Sequence, residues 1–185
     1  KMAKKLMAEA GYADGFKMVI HGPNDRYIND AKIAEALAQM LNRVGIEASV
    51  ETMTKAVYFG RASRGGPDKS PEFSFMLLGW GAGSGEASSP LKSLLHTYDK
   101  SKGLGAANRG RHSDPAVDTL VQKALATVDA DARGKLLAAA TEKAVGENYG
   151  VIPMHYQVNT WAAKAGFKYQ PRTDERTIVM GLSAN

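Results

Sequence analysis

The sequence predicts an α/β fold, and three stretches carry that expectation. Phe16-Lys17-Met18-Val19-Ile20 alternates as a half-buried strand does, a helical apolar stripe follows at Ile33, Leu37, Met40, Leu41 and Val44, and Ile46, Ala48 and Val50 alternate again. Strand, helix and strand in so short a span predict two parallel strands joined by one right-handed crossover. The second stretch is the apolar run Phe73-Ser74-Phe75-Met76-Leu77-Leu78, which stops at Gly79-Trp80 and reads as a buried strand. The third is a pair of helices after Asp114 whose tight joint at Asp129-Ala130-Asp131 predicts a helical hairpin.

The remaining elements follow in chain order. Residues Lys1 to Ala10 form an amphipathic helix with Met2, Leu6 and Met7 on one side and Gly11 closing it. Gly11 to Gly15 is a turn into the first strand, and Pro23-Asn24-Asp25 is the turn out of it. Asp30 is placed to cap the long helix, and Gly45 to end it. Thr54 caps a short helix through Val57-Tyr58-Phe59, and Arg64 to Ser70 is a solvated loop. Pro90 to Leu95 begins a helix with Ser88 or Ser89 as its cap.

Ser113-Asp114-Pro115 is a stronger start, a capping residue followed by Pro in the first turn, with Val117, Leu120, Val121, Ala124, Leu125 and Val128 at helical spacing. Its partner runs from Ala132 to Val145, and Val151 to Tyr156 is a last strand-like segment. Gln170 to Arg176 is a polar loop, and Thr177-Ile178-Val179-Met180 reads as a strand with no partner nearby.

At 185 residues the chain suits one sizeable core with an appendage rather than two full domains. The formal charge is +5, but Lys and Arg are scattered and no basic run carries interleaved aromatics, which argues against nucleic acid as a partner. The absence of cysteine removes disulfides, thiolate metal sites and a Cys nucleophile. No stretch approaches the ~18 apolar residues that a membrane span needs.

The chemistry-bearing residues point to binding rather than catalysis. Trp80 sits among glycines, with Gly81-Ala82-Gly83-Ser84-Gly85-Glu86 behind it, so a flat aromatic face lies beside backbone that a ligand can approach closely. Gly83-Ser84-Gly85 opens no helix and is no nucleophile elbow. Gly79-x-Gly81-x-Gly83 lacks the Lys-Ser/Thr of a phosphate loop. His21, His96, His112 and His155 stand far apart, outside any metal-ligand spacing, and read as structural or surface residues. Asp129 and Asp131 read as helix caps. Arg109-Gly110-Arg111 is a compact cationic loop, able to meet an anionic group if it is not merely solvated.

Several segments, in order, resemble one family. Ala3-Lys4-Lys5-Leu6-Met7-Ala8-Glu9-Ala10-Gly11-Tyr12 with Asp14-Gly15-Phe16 is similar to an "A-x-x-L-L-x-E-A-G-Y-x-D-G-F" segment. Gly79-Trp80 resembles a binding-cleft Gly-Trp, and Asn108 to Asp118 is similar to an "N-x-x-R-Y-S-N-P-E-V-D" stretch. Asp131, Arg133 and Ile152-Pro153 continue in the same order. The chain thus resembles the family 5 extracellular solute-binding proteins of bacterial ABC importers, which include peptide, glutathione and nickel binders.

That resemblance implies a lobe of the type II periplasmic-binding-protein kind, with a central mixed sheet flanked by helices. Residues 1–157 would form the C-terminal lobe of a two-lobe protein, and residues 158–185 a hinge crossing and return segment belonging to the first lobe. The chain would then be the C-terminal third of a longer protein, periplasmic or lipid-anchored and extracellular, feeding permease subunits in the membrane. It would have no enzymatic activity, no cofactor and no metal, and one lobe alone would bind solute weakly.

The implied ligand-binding residues are Trp80, Gly81, Ala82, Gly83, Glu86, Asn108, Arg109 and Arg111. In the family's peptide binders an acidic residue three positions after the Trp anchors the ligand ammonium. Here that position is Gly83, and Glu86 is the nearest carboxylate. A peptide is the first expected solute. A non-peptide solute, such as an opine, a sugar or a glutathione-like anion read by Arg109 or Arg111, is the alternative, and a hydrolase or transferase using Glu86 and a His is a distant one.

Overall fold

The computed structural model describes residues 1–65, 70–172, 174 and 176–184. The chain parts into two compact units, Lys1–Gly79 with Arg109–Arg111, and Trp80–Asn108 with His112–Asn185. Residues 66–69 of the loop expected at Arg64–Ser70, and 173 and 175 of the polar loop near the end, lie outside the described residues.

The first unit is built on a three-stranded sheet of order β2-β1-β3, formed by β1 (Lys17–Pro23), β2 (Glu47–Met53) and β3 (Phe75–Met76). Both neighbours run parallel to β1, with Lys17 opposite Glu47, Ile20 opposite Val50 and His21 opposite Met76. A mixed sheet was the expectation. The described sheet is parallel throughout because each connection within it passes through a helix, which returns the chain in the same direction.

Helix α2 (Asp30–Asn42) covers one face, where Ala34 and Ala38 meet Ile20 and Leu77, with Met18, Ile33, Leu37 and Val50 around them. Two small residues on its inner stripe let helix and sheet approach closely. Helix α3 (Lys55–Arg64) brings Tyr58 and Ala62 against Phe73, a second cluster. Helix α1 (Met2–Glu9) buries none of its residues, and its Met2 and Leu6 are exposed.

Helix starts show which local signals decide. Asn29, in the left-handed region at φ 57°, is the N-cap of α2, and Asp30 is its first residue. The buried Asp30 carboxylate instead accepts N–H bonds from Arg26 (2.9 Å), Tyr27 (3.0 Å) and Ala31 (2.9 Å), tying the preceding loop to the helix. Thr54 is the N-cap of α3 but its side chain makes no capping bond. Asp25 takes that role, accepting from the Lys55 N–H at 2.6 Å. At the other end of α2, Asn42 donates to the Ala38 and Ala48 carbonyls and accepts from the Ala48 N–H, so one side chain stitches helix end to strand start.

The second unit is mainly helical. A single turn, α4 (Ser88–Pro90), continues as the π-helical run Leu91–Leu95. Its N-cap is Ala87 rather than Ser88 or Ser89, because Ser88 turns its hydroxyl onto Glu86. Helices α5 (Pro115–Ala126) and α6 (Ala130–Thr141) form the expected hairpin, and π-helical Glu142–Glu147 extends α6. Asp114 and Asp129 cap as the sequence predicts, accepting from the Ala116 and Ala132 N–H groups, but α6 begins at Ala130, so Asp131, also read as a cap, lies inside its first turn. Val117, Val121 and Ala124 of α5 pack with Leu137 and Ala140 of α6 and with Leu91 and Leu95.

Two strand expectations fail. Val151–Tyr156 pairs with no strand among the described residues; Ile152, Met154 and Tyr156 are exposed, although its composition suits a strand. The tail strand falls later than its apolar residues suggest. Val179–Gly181 is a 3-10 turn, and β5 (Leu182–Ala184) pairs antiparallel with β4 (Phe167–Tyr169).

Candidate functional site

In the second unit, Trp80 opens the loop of small residues. Trp80 is 43% exposed and its indole N–H donates to the Ser89 hydroxyl at 3.3 Å, so the ring is held at one edge and partly open to solvent. Gly81, Ala82, Gly83 and Ser84 are exposed. A methyl group built on Gly81 or Gly83 meets nothing within 4 Å, so the loop's backbone faces open space there. Gly85, at φ +75°, closes a turn by donating its N–H to the Ala82 carbonyl at 2.8 Å.

Glu86 ends the loop, and its carboxylate is engaged. Arg133 of α6 forks onto both of its oxygens, with Nε to Oε2 at 2.8 Å and Nη2 to Oε1, and the Ser88 hydroxyl donates to Oε1 as well. Arg133, and after it Ser88, pull the Glu86 carboxyl down to about 2. A general acid needs the opposite displacement. Two of the three histidines of this unit are likewise committed, while His155 is exposed. His96 is buried, with Nδ1 at 2.7 Å from the Thr97 carbonyl and 3.4 Å from Asp118, and with Nε2 facing the Gln122 amide at 3.0 Å. His112 bonds the Leu95 carbonyl through Nδ1 at 2.9 Å.

Asn108 is buried and acts as a clamp. Its Nδ2 donates to the carbonyls of His96 (3.0 Å) and His112 (2.7 Å), and its Oδ1 accepts from the His112 N–H (2.9 Å). Asn108→Ala strands those three backbone groups, at a cost of about 1–3 kcal/mol for each group left unpaired. Allowing for water reaching some of them, the variant is expected to lose roughly 2 kcal/mol of stability in a denaturant titration, with Asn108→Asp losing at least as much, because a buried carboxylate cannot donate to the His96 and His112 carbonyls.

In the first unit, Gly79 gives its carbonyl to the Tyr27 hydroxyl at 3.2 Å, and the Tyr27 ring would lie 2.9 Å from any Cβ at that position. The same unit holds Arg109, whose guanidinium sits 4.9 Å over the Phe59 ring while Nε donates to the Ser63 hydroxyl at 3.2 Å. Arg111 takes a left-handed backbone at φ 56°. His21 stacks on Phe73 at 4.1 Å, with Nε2 3.4 Å from Glu51. Among the described residues no group of three or more His, Cys, Asp or Glu is placed to hold a metal ion.

Thus Trp80, Gly81, Ala82, Gly83, Glu86 and Asn108 fall in one compact unit and Arg109 and Arg111 in the other. Sequence reasoning missed the part played by Arg133. Its partner lies 47 residues away, and no local pattern announces that pairing.

Residues 1–102 match the family described as bacterial extracellular solute-binding proteins, family 5 Middle. The chain belongs to this family. Family 5 is a solute-binding family, not a family of enzymes, and its description is extracellular. Heme-binding protein A of Haemophilus influenzae is 28% identical over 144 residues, which cover 75% of this chain and 24% of that protein. Glutathione-binding protein GsiB of Escherichia coli is 29% identical over 140 residues, 76% of this chain and 27% of that protein.

Among solved structures, HbpA2 from Haemophilus parasuis superposes with a TM-score of 0.78 at 23% identity, over 100% of this chain and 35% of that one. OppA of Haemophilus influenzae, in complex with the peptide RPPGFSPFR, superposes with a TM-score of 0.74 at 24% identity, also over 100% of this chain and 35% of that one. These likenesses show the fold, an α/β lobe of periplasmic binding proteins. The chain spans about a quarter of the length of the curated relatives it matches. No helix among the described residues is long and apolar enough to cross a membrane.

Proposed function

We infer that this family 5 chain is the solute-binding part of an ABC importer, periplasmic or lipid-anchored in life, delivering its solute to a membrane permease. The single observation that carries the reading is the loop behind Trp80, an exposed aromatic face followed by backbone that no side chain covers. Such a loop binds through ring contact and main-chain hydrogen bonds, which gives affinity with loose side-chain selectivity. Residues 1–157 serve as one lobe of a longer protein, and 158–185 as a return segment to the other lobe. The exposure of Val158, Val179 and Met180 supports that assignment.

A peptide is the proposed solute. Ring and backbone contacts suit an extended main chain, and relatives whose structures carry peptides share the fold. A second reading, an anionic solute of the glutathione or opine kind, is favoured by one observation. Position 83 offers no carboxylate, and the nearest one, Glu86, is occupied by Arg133, so the loop presents nothing acidic to a ligand ammonium. In that reading Arg109 or Arg111 meets the anionic group.

A thermal-shift screen of the intact protein carrying this chain, against tripeptides, glutathione, heme, opines and sugars, tests both. A solute at a hundredfold excess over its Kd stabilises the folded state by about 2.7 kcal/mol. Trp80→Ala is expected to weaken the hit by about 2 kcal/mol, as loss of an aromatic anchor does. A hit with tripeptides that survives Trp80→Ala unchanged removes the loop from the site. A hit with anionic non-peptides alone selects the second reading.

A further inference from the structure

The loop between Trp80 and Glu86 has little of its own to hold it. Gly81, Gly83 and Gly85 meet nothing within 4 Å where a side chain would stand, and the turn closed by Gly85 spans only its own residues. A glycine-rich segment without packing samples many backbone states, and each loses entropy on ordering. Among the described residues its side-chain hydrogen bonds run from the two ends, the indole of Trp80 on Ser89 at its start and the carboxylate of Glu86 at its end.

The second tie is much the stronger. Arg133 grips Glu86 through two parallel N–H bonds, the geometry that fixes direction as well as distance. The guanidinium is itself aimed, because its Nη1 donates to the Ala124 carbonyl in the last turn of α5 at 3.2 Å. The first turn of α6, which carries Arg133, is held by the Asp129 cap. Both partners are partly buried, with side chains 25% and 31% exposed, so water competes less than at an open surface.

We propose that the Glu86–Arg133 pair is a positioning device, anchoring the Trp80–Gly85 loop onto the α5–α6 hairpin and so fixing where Trp80 faces a solute. The proposal rests on the reading of this loop as the solute-binding part. Neither residue touches the solute. They act through the conformations that the loop is denied, since a loop already held in its binding shape loses less on binding.

The test uses the intact protein in a Trp161→Phe background, with any Trp outside this chain likewise replaced by Phe, so that fluorescence reports Trp80. Glu86→Gln, Arg133→Gln, Arg133→Lys and the Glu86→Gln/Arg133→Gln double variant are compared for acrylamide quenching, emission maximum and helical circular dichroism. The expected result is a rise of about twofold in the quenching constant with a red-shifted maximum in either single Gln variant, and no further rise in the double variant. Arg133→Lys, which keeps the charge without the fork, falls between, and the helical signal stays constant.

Unchanged quenching in both single variants overturns the proposal. So does a rise that comes only with loss of helical signal, because that is a merely structural role. Titration with glutathione and with trialanine separates the two claims. If the parent binds either, about tenfold weaker binding by Glu86→Gln is expected, and equal binding overturns the proposal. If the parent binds neither and no other solute in the screen shifts it, the solute reading fails while quenching still decides the positioning claim.

Discussion

Phe73→Ala is expected to destabilise the first unit by about 4 kcal/mol, near the upper range for truncating a buried aromatic ring. Phe73 is 1% exposed and stacks with two rings, His21 at 4.1 Å and Tyr58 at 5.8 Å, both nearly parallel to it. The Arg61 guanidinium sits 4.9 Å from the same ring. Removing the ring opens a void beside His21, whose Nδ1 is buried without a partner among the described residues, and takes the floor from Arg61, which bridges Glu51 and Glu72. It also loosens Tyr58, whose buried hydroxyl donates to the Leu77 carbonyl at 2.9 Å. Burial pushes the Tyr58 phenol up, so it stays a neutral donor. Guanidinium chloride titration checks this, with Phe73→Leu losing less than Phe73→Ala because a branched aliphatic chain refills part of the void. A loss below 1 kcal/mol in Phe73→Ala would show that the stack is open in solution.

Gly15→Ala is expected to cost about 3 kcal/mol or more for a different reason. Gly15 has φ +79°, a region that side chains enter only under strain, and a Cβ built there lies 1.8 Å from the Gly45 carbonyl oxygen. The obstacle is backbone, so no rotamer change relieves it. The turn must move, and with it the Glu47 N–H to Phe16 carbonyl bond of 2.8 Å that begins the pairing of β1 with β2. Gly45→Ala is the control. Gly45 has φ +103° but nothing within 4 Å of a Cβ, so backbone strain of roughly 1–2 kcal/mol is the whole expected loss. Equal losses in the two variants would show that the clash is relieved cheaply.

Legibility in the sequence followed the range of the interaction. The parallel β1–β2 pair was readable because alternation, helical spacing and alternation occur within thirty-odd residues and leave one economical topology. The caps Asp114 and Asp129 were readable because a cap bonds two or three residues ahead. Pairing partners were not. Phe73–Leu78 carries a strand pattern six residues long, yet only Phe75 and Met76 ladder onto β1, with Leu77 adding one bond to the His21 carbonyl. Val151–Tyr156 has equal β-propensity and no neighbour to pair with among the described residues, and propensity alone makes no strand.

In the candidate site, the openness of Gly81 and Gly83 followed from composition. The commitment of Glu86 did not, since it depends on a helix laid down 47 residues later. The buried place of Asn108 was hidden similarly, because a polar residue in a Gly-rich stretch reads as solvated until its three backbone partners converge on it.

Arg109 shows what a discontinuous unit means for anyone who cuts the gene. The first unit ends at Gly79 and takes up three more residues at Arg109–Arg111, so its modular boundary is not a single point in the reading frame. A truncation after Gly79 keeps the whole β2-β1-β3 sheet but deletes the cation that caps Phe59 and bonds Ser63. A self-sufficient version of this module would splice Arg109–Arg111 back through a short linker. A domain swap between relatives would have to exchange both segments together, or leave Phe59 facing a guanidinium it did not evolve beside.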